Sequence, residues 1–180
     1  MSSPLTRDQL ETVARVHVTA EVTRLVMSAL PVQPIAWRPE NGLAGVDLSD
    51  WFDELRLEAA MVHMRCLHSF LTGLTRRRVG PYGTDVVAQD FFRGHWTPPV
   101  VVIGADAAEQ QRVIESLDTR IHHIGRDRLS GPYTREQARQ HTPQLLAAFG
   151  EFVTALASDG AGERAEWFLE AVRFAKHLEI

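Results

Sequence analysis

Apolar residues recur at intervals of three and four in five separate segments of this 180-residue chain, and only one short run would suit a strand. That recurrence is the period of an α-helix, in which side chains at i, i+3 and i+4 share a face. The β-branched run Val100-Val101-Val102-Ile103 reads as an extended piece. A single strand has nothing to pair with and builds no sheet. The expected fold is therefore all-α: a helical bundle of four to six helices, with a long irregular connection between helices one and two. It forms a single domain over residues 1–180. With 44% hydrophobic residues, the chain can bury a core without metal or disulfide staples.

Local signals set the boundaries. Thr6 with Gln9 three residues on is a capping box, and Leu10, Val13, Ala14, Val18, Val22, Leu25, Val26 and Ala29 then form an apolar face as far as Pro31. Residues 31–46 hold Pro31, Pro34, Pro39 and Asn41-Gly42, which make the irregular connection. The second helix, capped by Asp47 or Ser49, sets Phe52, Leu55, Ala59, Leu67, Phe70 and Leu74 on a stripe around His63 and ends between Gly73 and Arg76. Thr84 or Asp85 caps a short helix through Phe92.

Asp106 and Glu109 open a third long helix with Val113, Ile114, Leu117, Ile121 and Ile124 on its core face and Gly125 as its stop. A second capping box, Thr134 and Gln137, opens a short helix to His141, and Pro143 restarts it as the first residue of the next. Leu145, Phe149, Phe152 and Leu156 line that helix. Ser158 to Gly162 breaks the chain before a last helix lined by Ala165, Phe168, Leu169, Val172, Ala175 and Leu178.

Charge and motif content exclude several function classes. A net charge of -4 does not suit a general polyanion binder, because such affinity comes from clustered positive charge. Lys176 is the one lysine among 19 cationic residues, a bias in keeping with GC-rich coding. No stretch approaches the ~20 apolar residues of a membrane span, and Met1 to Asp8 lack the basic and apolar regions of a secretory signal. A cytoplasmic protein with no membrane partner is expected. Cys66, the single cysteine, lies on the apolar side of the second helix and reads as packing. Gly-rich phosphate loops, Gly-x-Ser-x-Gly and His-Glu-x-x-His do not occur, and no cofactor or metal is implied.

Three constellations could carry chemistry. His63 lies in the second helix's stripe with Arg56 on nearly the same azimuth, a polar pair that could face a cleft between helices. Glu115, Asp118 and His122 share one flank of the third helix, but no second segment supplies a matching acid and histidine, so a salt-bridged surface is expected. His122-His123 stand near that helix's end with Arg120, Arg126 and Arg128, where the macrodipole favours cations and an anion could bind. Arg76-Arg77-Arg78 could extend the patch. Trp37, Trp51, Trp96 and Trp167 read as core or interface anchors.

Over residues 54–155 the chain resembles a family of uncharacterised bacterial helical proteins loosely related to the HEPN-like bundles. The residues that carry the likeness are Glu58, His63-Met64-Arg65 and Phe70, then Asp85-Val86-Val87-Ala88, Asp90-Phe91 and Trp96, then Leu117 to His123 with Arg128-Leu129. The resemblance implies a helical bundle and, in its nuclease branch, a dimer with an arginine, four to six residues, then a histidine. Arg56 with His63 and Arg135 with His141 both have this spacing. Chance at this arginine content supplies as many such pairs, so the spacing selects neither. Arg120-Ile121-His122-His123 is too short for it.

The leading expectation is a non-catalytic module that forms a homo-oligomer or docks a protein partner through a long helix, its histidines structural. The alternative is an RNA-binding protein or metal-independent ribonuclease. There His123 would be the base, and Arg120, Arg126 and Arg128, with His122 beside them, would hold phosphate. A third reading is a small-molecule enzyme pocket with His63 as its catalytic centre and Arg56 as its binding partner.

Overall fold

Thr6 caps the first helix as its sequence requires. Its hydroxyl accepts from the Gln9 N–H at 3.3 Å, and the Gln9 amide oxygen accepts from the Thr6 N–H at 2.9 Å. The computed structural model describes residues 5–29, 49–73, 86–122, 133–160 and 162–176, and no strand occurs among them. The irregular connection between the first two helices, and the expected stop at Gly125, lie outside the described residues.

Helix α1 (Arg7–Thr12) runs without a break through a π-helical segment, Val13–Val18, into α2 (Thr19–Ala29). Buried Leu10, Ala14, Val18 and Val22 explain the wide turn. They recur every four residues, and in a straight α-helix each such step swings the stripe by about 40°. Wider turns remove that drift and hold all four against the core. The Thr19 hydroxyl donates to the Ala14 carbonyl at 3.0 Å inside the segment.

Helix α3 (Ser49–Thr72) packs against α2, α4 (Ala107–His122) and α5 (Arg135–Ser158). It ends at Gly73, whose φ of +65° suits glycine. Its buried side is Leu57, Ala60, Met61, Met64, Leu67, His68 and Leu71. Leu67 and Phe70 are buried as expected, but a correction is needed for the first half of the helix: Leu55 is exposed and Ala59 half-buried, because there the stripe through Leu57, Ala60 and Met61 takes the core side. Glu21 of α2 meets His63 of α3, and Arg56 reaches the carbonyls of Met27 and Ser28, so the two helices run antiparallel.

Between α3 and α4 the described chain makes a 3₁₀ turn, Ala88–Phe91, and then an extended stretch. The Val100–Ile103 run finds a glutamine where a strand would be needed: the Gln110 amide accepts from Val102 N–H at 2.8 Å and donates to the Val100 carbonyl at 3.1 Å. Val102 and Ile103 are buried. Asp106 caps α4 by accepting from Glu109 N–H at 2.8 Å.

A second correction concerns Pro143. Helix α5 does not stop at His141 but runs unbroken through the proline. Loss of one backbone N–H is outweighed by burial of Ala138, His141, Thr142, Leu145 and Leu146 along a single face. After Asp159 and Gly160 the chain turns back through α6 (Gly162–Ala165), a 3₁₀ turn (Glu166–Phe168) and α7 (Leu169–Lys176). The core centres on Phe152, whose ring meets those of Phe70 at 5.4 Å and Phe168 at 5.1 Å, both edge to face. Trp96 and Trp167 are buried anchors, as expected.

Candidate functional site

His63, His68 and His141 are held by partners or by burial. His63 Nδ1 lies 2.7 Å from Glu21 Oε2 at the half-buried seam of α2 and α3. Cys66, one turn on, is exposed rather than packed into the core, which corrects the sequence reading. Loss of solvent around its sulfur raises the thiol to about 11, and the Glu21 carboxylate, which repels a thiolate and accepts a hydrogen bond from the thiol, adds to the rise. Such a thiol is a poor nucleophile near neutral pH.

Two further histidines are 1% exposed. His68 has no hydrogen-bond partner of good geometry on either ring nitrogen. Burial, with Arg65 adding to it, pushes its imidazole down to about 4. Gln110 lies close enough to oppose this, but its amide is engaged by Val100 and Val102. His141 Nδ1 sits 2.8 Å from the Tyr133 hydroxyl, and its Nε2 is 3.9 Å from Glu109. Burial lowers His141 and raises Tyr133, so both are neutral near pH 7. Neutral, enclosed groups cannot meet a polymeric substrate.

The Arg56–His63 pair does not face a common cleft. His63 is taken up by Glu21, while Arg56 bonds the Met27 and Ser28 carbonyls at 3.4 and 3.3 Å and faces Asp53 at 4.0 Å. Seven residues separate the two, about 10 Å along the helix. Arg135 and His141 are divided too: the arginine is exposed and pairs with Asp53 at 2.7 Å, whereas the histidine is buried. Asp118 is spent on Arg65, with Nη2 and Oδ2 at 3.3 Å, and Glu115 accepts from Gln111 at 2.7 Å. Among the described residues no group of His, Cys, Asp and Glu is placed to hold a metal ion.

Arg120 and His122 belong to the last turn of α4, with side chains outside the described part, and His123, Arg126 and Arg128 lie outside the described residues. No family model, curated protein or solved structure matches the chain. Among the described residues no helix is long and apolar enough to cross a membrane.

Two surface features remain. On the outward side of α3, Leu55 is 41% and Val62 37% exposed, and both share a face with Cys66 and Ala59. At 100° per residue the four fall within about 60° of one another. Where α2 ends and α5 begins, Arg56, Arg135 and Arg139 line a cleft together with Asp53. Sequence reading named Arg56 for a pocket with His63. It did not connect it to Arg135 and Arg139, because that proximity depends on how α3 and α5 cross.

Proposed function

We propose that this protein is a non-catalytic helical module whose partner is a second copy of the same chain, paired through the outward face of α3. The apolar ridge of Leu55, Ala59, Val62 and Cys66 carries this reading, because such a ridge on one exposed helix face marks a contact surface more often than it serves folding. Charge placement favours a copy of itself over another protein. Glu58 stands on the α4 side of the ridge, and Arg24 of α2 stands on the other side, near the level of Ala60. Neither makes an ion pair among the described residues. A two-fold axis running along the ridge exchanges its flanks, bringing Arg24 of each copy toward Glu58 of the other.

Sedimentation across a concentration series tests the pairing. The wild type should pass from monomer to dimer, and Val62→Glu should remain monomeric with an unchanged melting temperature. In a Cys66→Ser background, Val62→Cys should oxidise to a covalent dimer, since that position stands on the ridge that the two copies share. A wild type that stays monomeric at every concentration refutes the proposal. Cleavage of structured RNA by the purified protein, abolished in His123→Ala, would overturn the non-catalytic reading.

A further inference from the structure

We infer that the cleft between α2, α3 and α5 is a binding site for a phosphoryl group. Its walls carry three guanidinium groups, Arg56, Arg135 and Arg139, against one carboxylate, Asp53. The difference, 3 − 1 = 2 positive charges, matches a phosphate dianion better than a single carboxylate. Glu136 approaches Arg139 only at 4.0 Å and is itself largely exposed, so solvent screens that pair. The carbonyl end of α2 offsets part of the Arg56 charge, which leaves Arg135 and Arg139 the greater share of the attraction.

Size agrees with charge. The cleft holds about 70 Å³; at 10–15 Å³ for each water-sized position this is room for about five, enough for the phosphorus and four oxygens of a phosphate group. Leu57 and Ala138 give it an apolar lining beside the arginines. Arg56 is anchored by the Met27 and Ser28 carbonyls and Arg135 by Asp53, so two of the three forks are already positioned. Arginine at such positions grips tetrahedral oxyanions with paired N–H donors. The site lies away from the Leu55–Cys66 ridge, and its occupancy does not depend on pairing.

Inorganic phosphate and glycerol 3-phosphate, titrated calorimetrically at fixed ionic strength, distinguish free phosphate from the phosphoryl end of a larger molecule. Saturable binding with Kd of about 1 mM or tighter is expected for at least one. Arg135→Gln/Arg139→Gln should weaken it by about tenfold or more. Should that double variant fold poorly, Arg139→Glu serves instead, because this side chain is 64% exposed and the fold does not rest on it. Arg112→Gln, at an exposed arginine on α4, should leave affinity unchanged. Absence of saturation by either probe at about 20 mM overturns the inference. Equal weakening by Arg112→Gln does so too, since it would mean diffuse attraction to a basic surface.

Discussion

Replacing His68 with leucine should stabilise the protein, and by more in acid than at neutrality. The imidazole is buried on α3 with both nitrogens unpartnered by protein, a condition that costs about 1–3 kcal/mol at pH 7. Leucine has similar volume and nothing to satisfy. In the unfolded chain this histidine titrates near 6.5, and in the fold burial holds it at about 4. Below pH 6.5 the unfolded state therefore takes up a proton that the native state refuses, and stability falls as pH drops from 6.5 toward 4. The gap of about 2.5 units corresponds to a loss of about 3 kcal/mol by pH 4. Urea unfolding of wild type and His68→Leu at pH 7, 5.5 and 4 measures both effects. The variant should be more stable throughout, with its advantage growing by about 3 kcal/mol toward pH 4. A destabilised variant at pH 7 with the same acid slope as wild type would mean that the imidazole is well satisfied, and the reasoning would fail.

Other perturbations have equally definite outcomes. Phe152→Ala removes the ring on which the aromatic cluster converges and should cost about 3–5 kcal/mol in chemical denaturation. Gly104 has φ of +84°, and an added Cβ would lie 3.2 Å from the Gln110 backbone nitrogen. Gly104→Ala should therefore lower stability by about 1–2 kcal/mol, read from the thermal midpoint. Glu21→Gln removes the carboxylate that raises the Cys66 thiol, so alkylation of Cys66 by iodoacetamide at pH 8 should quicken several-fold. An unchanged rate would assign the raised thiol to burial alone.

Helix existence was legible because each segment has its own punctuation. The Thr6–Gln9 and Thr134–Gln137 boxes form as their spacing requires. Asp106 and Gly73 also bound their helices as the sequence indicates. The orientation of α3 was not legible. Its sequence is apolar on several sides, so choosing between the Leu55–Ala59 side and the Met61–Met64 side needs the neighbours that pack on it. For the same reason Cys66 reads as facing inward, and the burial of His68 has no local signal. Pro143 reads as a helix start because proline more often opens a helix than crosses one, and the buried face that carries it through becomes visible only beside α3. The arginine cleft joins residues 56, 135 and 139, a separation that no periodicity reports.

The π-helical segment between Thr12 and Thr19 gives this chain an unusual tolerance in length. A widened turn holds one residue more than ordinary winding would accommodate, so the surplus is stored at a single place. Deleting one amino acid there would tighten the coil while leaving Thr6 at its cap and Leu25 and Val26 in their sockets. The same deletion within α2 would turn every following side chain of that helix by about 100° and expel the buried ones from the interior.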